Sequence, residues 1–200
     1  MSIRAVTLIL LLAGVLSNMK PWEMVWNTLT GKSEQPAQVA PAQQTQEPQK
    51  PDYLERLKLA ESGGQAEAKA KTSSATGHHQ FIEKTWQSLN NKYELGYTLD
   101  DRKDPEKSRK VAELYTNENR QALTKVLGRE PTDTQLYAAH FLGTTGAKKF
   151  VSAKPFELAT KVVDRDQVRA NKAIFFDSKT KKPRTVAEVH KVLQKKIGEE

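Results

Sequence analysis

Apolar residues recur every three to four positions over long stretches of the chain, which is the period of an amphipathic helix. Five stretches show this pattern, and they run from Tyr53 to Glu61, Phe81 to Leu89, Asp104 to Leu127, Leu136 to Phe141 and Thr185 to Ile197. Glycine follows several of them, and Asp104-Pro105 and Thr185 with Glu188 supply start signals. No alternating run is long enough to predict a strand. The pattern predicts a mainly α domain.

The N-terminus has a different pattern. Arg4 precedes an uninterrupted apolar run, Ala5 to Leu16, which is the shape of a secretory signal. The run is short for a bilayer span, which needs about 20 apolar residues. No small-x-small cleavage site follows it, which favours retention as an anchor. We predict a signal peptide or signal anchor over residues 1–20, with export to the periplasm and a membrane anchor there; a virion or lysis protein of a phage is the alternative.

A polar segment separates this run from the helices. From Ser33 to Pro51 it is rich in Gln, Pro and Ala, and Val39 is its only large aliphatic residue. Such a composition buries too little apolar surface to offset the entropy lost on ordering. The sequence therefore predicts a disordered linker over 21–51 and a folded domain over 52–200.

Composition narrows the chemistry. The chain has no cysteine, which excludes disulfides, thiolate metal sites and a cysteine nucleophile. The net charge of +8 is local: residues 52–143 balance 14 Lys and Arg against 14 Asp and Glu, whereas residues 144–200 carry 14 against 7. The basic segment lacks the interleaved aromatic residues of a single-strand binder, so no nucleic-acid partner is expected. A solvated basic face or weak attraction to a carboxylate-bearing polymer fits better.

Glu61 is the first candidate for chemistry. It lies seven residues after Leu54 and four after Leu57, on the apolar face of its helix. A carboxyl group among apolar neighbours holds its proton closer to neutral pH, as a general acid must. The alternative is that Glu61 reaches solvent where the helix ends at Gly63-Gly64, or caps nearby amides.

The segment 72–80 is polar and rich in Gly and Ser, so it predicts a loop between two helices, where binding groups usually lie. Gln80 offers an amide suited to an N-acetyl sugar; alternatively it caps the Phe81 helix. His78-His79 lacks a third ligand at a useful spacing, so no metal site is predicted. His140 lies on an apolar helical face, where a core role is the alternative to a site role.

Several motifs together resemble one family. Glu61-Ser62-Gly63-Gly64, the stretch Ser73 to Ile82 with its Gly77-His-His-Gln80, and Thr85-Trp86 resemble the Glu-Ser and Gly-x-x-Gln signature of lytic transglycosylases of the lysozyme superfamily. Tyr137 to Gly143 is similar to the branch with a His-Phe-Leu-Gly helix, and 170–177 and 183–188 to its closing motifs. The resemblance extends from Tyr53 to Leu193.

The resemblance implies a lysozyme-like helical domain that binds the glycan strands of peptidoglycan, without metal or cofactor. Glu61 matches the single catalytic glutamate, as general acid and then base at the bond between N-acetylmuramic acid and N-acetylglucosamine. The product is a 1,6-anhydro end. Further matches predict the substrate-binding residues Ser73, Gly77, His79, Gln80, Tyr137, His140 and Phe176. Phe176 stands where related sequences often have a tyrosine near the acid, and His78-His79 where an apolar residue is usual.

Two alternatives remain open from sequence. One is a hydrolytic muramidase on the same fold, with water attacking the sugar C1. The other is a non-catalytic peptidoglycan-binding module of a secretion or virion assembly, and partners in secretion, conjugation or phage-entry machinery are compatible with either. The sequence alone does not separate these roles.

Overall fold

The computed structural model describes residues 51–71 and 73–199. The predicted signal or anchor over 1–20 lies outside these residues, as does the linker over 21–51 apart from Pro51. Within the described ranges, no helix is both long enough and apolar enough to cross a membrane.

The described part is mainly helical, which confirms the predicted fold class. Its α-helices are α1 (Tyr53–Ser62), α2 (Glu83–Lys92), α3 (Pro105–Leu127), α4 (Asp133–Ser152), α5 (Ala159–Val162), α6 (Arg165–Ala170), α7 (Lys172–Phe175) and α8 (Val186–Ile197), with a 3-10 helix at Asp100–Lys103. Over 51–71 and 73–199, β pairing is confined to isolated bridges, such as Thr76 with Phe81. The five periodic stretches correspond to α1, α2, α3, α4 and α8.

The helix starts follow local chemistry. The Asp104 carboxylate accepts from the amides of Glu106 and Lys107, while Pro105 occupies the first turn of α3. Thr185 and Glu188 form the predicted capping box at α8. These side chains satisfy amides that lack partners within the helix, so each start is fixed by its own sequence.

Helix α4 is the central helix. Its residues Leu136 to Ala139 are all at most 1% exposed, and it contacts α3, α5 and α8. A helix buried on every side must lie between other elements. One apolar cluster joins α4 to α1 and α8, with Leu57, Tyr137 and Leu193 among its members.

A second cluster centres on Phe81, Trp86 and Val111 and joins the loop before α2 to α2 and α3. Leu54 of α1 packs against both clusters. Helix α1 and the loop that ends at Gln80 are therefore held by a shared apolar interior.

Helix α4 is broken within its length at Gly143, which has φ 69° and ψ 161°. This backbone region is open almost only to glycine. A Cβ here would have nothing within 4 Å, so conformation rather than space requires the glycine. The apolar pattern ends at Gly143, but the helix resumes and continues to Ser152.

Candidate active site

A cleft of about 550 Å³ lies where α1, the loop before α2, α3, α4 and α6 meet. Its lining includes Glu61, Ser73, Gln80, Tyr115, the run His140 to Gly143, and Asp166, Gln167 and Asn171. Carboxylate, amide and imidazole groups therefore share one concavity with aromatic surface from Phe81 and Phe141. This is the usual character of a site for a polar ligand with apolar faces.

Glu61 is half-buried in the last turn of α1. The helix ends one residue later, at Ser62, because Gly63 adopts a left-handed φ of 61° and its N–H donates to the Leu59 carbonyl at 3.0 Å. Gly64 also has a positive φ, 83°. The two glycines reverse the chain, so Glu61 ends its helix at the cleft and not in the middle of a packed surface. Over the described ranges, no cation lies within ion-pair distance of its carboxylate.

Tyr137 lies behind Glu61 on α4. Burial raises the pKa of the Tyr137 hydroxyl well above its usual range, and the charge of the Glu61 carboxylate and a hydrogen-bonding contact with it raise the pKa further. The hydroxyl therefore stays protonated and available as a donor to Glu61. Tyr137 is 1% exposed and does not line the cleft. The structure thus places its hydroxyl near Glu61, and its role in substrate binding stays a prediction.

Tyr53 is the second tyrosine on this side of Glu61. Burial raises the pKa of its hydroxyl, and the negative charges of Asp133 and Glu61 raise it further. Its hydroxyl oxygen is buried and has no hydrogen-bond partner among the described residues. Two neutral phenols from α1 and α4 thus lie near one carboxylate.

The Gln80 side chain is oriented by its own loop. Its Nε2 donates to the carbonyls of Gly77 at 2.8 Å and Ala68 at 3.0 Å. Both amide protons are therefore used, and the carbonyl oxygen Oε1 is left as the atom that can face a ligand. Gln80 itself has φ 49°, an uncommon value for a residue with a side chain. The loop holds this amide as a hydrogen-bond acceptor in the cleft.

His140 lines the cleft opposite this loop and is also tied to it. Its Nε2 lies 3.0 Å from the carbonyl oxygen of His79, so Nε2 must be the donor. Its ring packs edge-on against Phe81 and Tyr115, with centroids 5.4 and 5.8 Å away. The site role and the core role considered from sequence therefore coincide in one residue.

The His79 side chain is not among those that line the cleft, and its binding role stays a prediction. It is 2% exposed, and its Nδ1 lies 2.8 Å from Oγ of Ser108 on α3. Burial, with His140 and His78 nearby, lowers the pKa of His79 to about 3. The ring is a neutral core group that packs against Phe81, with ring centroids 6.4 Å apart, and the His79 backbone carbonyl meets His140.

Gly77 also has a packing role and not a lining one. It has φ 82°, and a Cβ there would lie 1.8 Å from the carbonyl oxygen of Arg102. The Arg102 guanidinium in turn donates to the carbonyls of Ser74 and Phe81 at 2.7 and 3.2 Å. Arg102 thus holds the loop through its backbone, which packs on Gly77, and through its side chain, which donates to Ser74 and Phe81. Ser73, by contrast, lines the cleft, and its substrate-binding role stays a prediction.

Phe176 is not among the residues that line the cleft with Glu61, and its position near the acid stays a prediction. It follows α7, bridges to Pro183, and lines two depressions beyond α6. The preceding residue, Phe175, is fully buried and stacks on Phe141 at 6.2 Å. Phe175 is the last residue of α7, and Phe176 begins the extended segment that follows it.

Three polar lining residues were not predicted from the sequence: Tyr115, Asp166 and Gln167. The apolar pattern assigns Tyr115 to the core of α3, and Asp166 and Gln167 belong to α6, which is too short for a readable period. Asn171, which also lines the cleft, lies between α6 and α7 in the closing motif 170–177. Gln167 donates through Nε2 to the Leu142 carbonyl, which the break at Gly143 frees from the helix ladder. Asp166 is a second carboxylate in the cleft; it is exposed and lies 3.5 Å from Arg169.

Over 51–71 and 73–199, no group of three or more metal-ligating side chains converges.

A glutamate at a helix end, facing an amide-bearing loop across a cleft in a helical domain, is the arrangement of a lysozyme-like, glycan-cleaving domain. The family model described as "Transglycosylase SLT domain" matches residues 38–142, more than half of the chain, and the chain belongs to this family. Membership implies transglycosylase-type cleavage, with peptidoglycan as the substrate. The match includes Glu61, Gln80 and His140, and ends before α6.

Proposed function

We propose that the protein is a lytic transglycosylase that cleaves the β-1,4 bond between N-acetylmuramic acid and N-acetylglucosamine and leaves 1,6-anhydro-muramyl ends. Glu61 is the general acid and base. The observation that carries this proposal is the position of Glu61: it ends α1 at the cleft, without a cationic partner among the described residues and with the Tyr137 hydroxyl behind it.

The reaction balances with one carboxyl group. Protonated Glu61 donates to the glycosidic oxygen, the C1–O bond breaks, and N-acetylglucosamine leaves as the alcohol. Meanwhile the oxygen of the muramyl N-acetyl group stabilises the positive charge that develops at C1. The Glu61 carboxylate then takes the proton of the muramyl 6-hydroxyl, whose oxygen closes on C1. Glu61 ends protonated and no water is consumed.

The surrounding groups support these steps. The Gln80 Oε1 accepts from an N-acetyl N–H or a sugar hydroxyl, because its amide protons are already bonded to the loop. The Tyr137 hydroxyl stabilises the carboxylate formed after the first proton transfer. Tyr137 thereby supplies the phenol that Phe176 lacks.

Asp166 is the reason to consider one alternative function, hydrolysis of the same bond. Hydrolysis with two carboxyl groups needs a second carboxylate to activate water, and Asp166 lines the same cleft. Its exposure to solvent and its contact with Arg169 favour a side chain that takes no part in the chemistry. The two functions differ in whether water enters the product.

The test is digestion of purified peptidoglycan in water enriched in ¹⁸O, with mass analysis of the fragments. A lytic transglycosylase releases fragments that are lighter by one water than the hydrolysis products. These fragments carry no ¹⁸O and resist reduction by borohydride. Labelled, reducible ends would overturn the proposal in favour of a hydrolase. Asp166→Asn should retain activity, whereas a hydrolase that uses Asp166 as its base would lose it.

Glu61→Gln is the second arm, because it keeps shape and removes the acid. Glu67→Gln, on an exposed side chain paired with Lys103, is the matched control. Glu61→Gln should lose at least about 1000-fold in rate and still bind peptidoglycan, while Glu67→Gln retains activity. A wild type that binds and never cleaves would instead establish a non-catalytic binding module.

A further inference from the structure

Helix α6 is a wall between two surfaces. Asp166, Gln167 and Ala170 line the cleft on one side, and Asn171 continues that line. Arg165, Val168 and Arg169 line a depression on the other side. Spacing of three and four residues separates these faces of one helix. Whatever lies in the cleft therefore has a second surface beside it, one helix away.

The second surface consists of two adjoining depressions of about 350 and 500 Å³, which share Lys172 and Phe176. Four cations line them, and we call this surface the basic shelf: Arg165, Arg169, Lys172 and Lys181 around the ring of Phe176. All four cationic residues are exposed, and Phe176 is half-buried. The shelf combines positive charge with one apolar contact surface.

The charges of the shelf are largely uncompensated. Arg169 lies 3.5 Å from Asp166, and Arg165, Lys172 and Lys181 have no ion pair within the described ranges. The single lining carboxylate, Asp177, is turned into its own loop. Its Oδ1 accepts from the amides of Lys179 and Thr180 at 3.0 and 2.8 Å, and these contacts lower its pKa. The shelf thus presents net positive charge to a ligand.

The distance from cleft to shelf suits a short peptide. An α-helix with its side chains is about 10–12 Å across. An extended peptide covers about 3.3–3.6 Å per residue, so three to four residues reach over α6. Peptidoglycan carries such a branch: each muramyl residue bears a short stem peptide with several free carboxylates and small apolar side chains.

We propose that the basic shelf binds the carboxylates of the stem peptide on a muramyl residue held in the cleft, with Phe176 contacting its apolar part. The inference rests on the proposed function and adds a substrate preference, for peptide-bearing over peptide-free glycan. Charge complementarity and continuity with the cleft across α6 support it. It also accounts for part of the basic excess after Thr144.

The test compares two substrates of equal chain length: glycan strands with stem peptides, and the same strands after an amidase has removed the peptides. The full-length protein is used, as wild type and as the triple variant Arg165→Gln, Lys172→Gln, Lys181→Gln. The control is Lys191→Gln, Lys195→Gln, Lys196→Gln, which removes the same charge from exposed positions on α8.

The shelf variant should lose about 5- to 10-fold in kcat/KM on peptide-bearing strands, a modest loss because exposed charge contacts are weak. It should match the wild type on peptide-free strands, and the α8 variant should match it on both. Equal losses on both substrates, or an equal loss in the α8 variant, would overturn the inference and indicate general attraction to an anionic polymer.

Failure of the inference is distinguishable from failure of the proposed function. A wild type that cleaves both substrates with equal kcat/KM overturns the stem-peptide site alone. A wild type that cleaves neither overturns the proposed function and the inference with it. Salt-sensitive binding of duplex DNA that the shelf variant loses, without any substrate preference, would assign the shelf to nucleic acid and overturn the inference as well.

Discussion

The imidazole Nε2 of His140 lies 3.0 Å from the carbonyl oxygen of His79. This contact joins α4 to the loop that carries Gln80, across 61 positions of sequence. It fixes the Nε2 proton of His140, because a carbonyl oxygen only accepts. The side chain of His140, which lines one wall of the cleft, thereby holds the Gln80 loop that forms the other wall.

Replacing His140 tests this contact. His140→Phe keeps an aromatic ring beside Phe81 and Tyr115 but removes the donor, so the Gln80 loop loses its tie to α4. We expect the free energy of unfolding to fall by about 1 kcal/mol and kcat/KM by about 10-fold. His140→Gln, which can restore a donor, should recover part of both losses. Chemical denaturation and peptidoglycan digestion measure them; unchanged activity in His140→Phe would contradict this role.

Tyr137→Phe tests the phenol behind Glu61. The pKa of Tyr137 is raised, so its hydroxyl remains a donor across the working pH range. A hydrogen bond to a charged group is worth about 1.5–3 kcal/mol, so loss of the Tyr137 hydroxyl beside the Glu61 carboxylate should lower kcat by about 10- to 100-fold. KM should change little, because Tyr137 does not line the cleft.

Tyr93→Phe is the matched control for this variant. The Tyr93 hydroxyl donates to the carboxylate of Glu118 at 2.7 Å on the protein surface, so the same kind of bond is removed away from the cleft. Tyr93→Phe should keep full kcat. Equal activity in both variants would show that Tyr137 only fills the core.

Gly77→Ala should be strongly destabilising, by several kcal/mol. The residue has φ 82°, and the new methyl group would lie 1.8 Å from the carbonyl oxygen of Arg102. Because that oxygen belongs to the backbone, the clash can be relieved only if the main chain shifts. Gly128→Ala is the comparison: it has φ 68° at the end of α3 but nothing within 4 Å of an added Cβ. That substitution should cost about 1–2 kcal/mol. Thermal unfolding ranks the two, and similar losses would refute the steric argument.

The five long helices could be predicted from sequence because each carries an apolar period, and all but α2 also have a local start or stop signal. Thr185 with Glu188 and Asp104 with Pro105 act within one turn, so no tertiary information is needed. The helices α5, α6 and α7 are four to six residues long, which is too short for a period. They are defined by what they pack against.

The dependence on tertiary packing also explains which residues of the site could be predicted from the sequence. Glu61 and Gln80 belong to motifs whose spacing can be read, and both line the cleft. His79 and Tyr137 lie in the same motifs but turn inward, because burial beside Ser108 and behind Glu61 depends on α3 and α4 coming together. Asp166 reaches the cleft only through the placement of α6. The motifs identify the segments that form the site, and tertiary packing decides which of their side chains line the cleft.

His79 makes stability depend on pH in a specific window. Its pKa is about 3 in the folded state because of burial, with His140 and His78 nearby, against about 6.5 in an unfolded chain. Below pH 6.5 the unfolded chain therefore binds a proton that the folded ring does not, and stability falls as pH falls. The stabilising contribution is complete above pH 6.5 and should decrease by about 2 kcal/mol between pH 7 and pH 5.

The variant His79→Asn isolates this effect. Asparagine can keep a hydrogen bond to Ser108, which lies 2.8 Å from the His79 Nδ1, and it does not titrate. The variant should be less stable than the wild type at pH 7, because a cavity replaces part of the ring. Its free energy of unfolding should, however, decrease by about 2 kcal/mol less on going to pH 5. His190→Asn on α8 controls for the loss of any histidine, and urea unfolding at pH 7, 6 and 5 provides the measurement. Parallel pH profiles for wild type and His79→Asn would show that the buried ring is protonated in the folded protein.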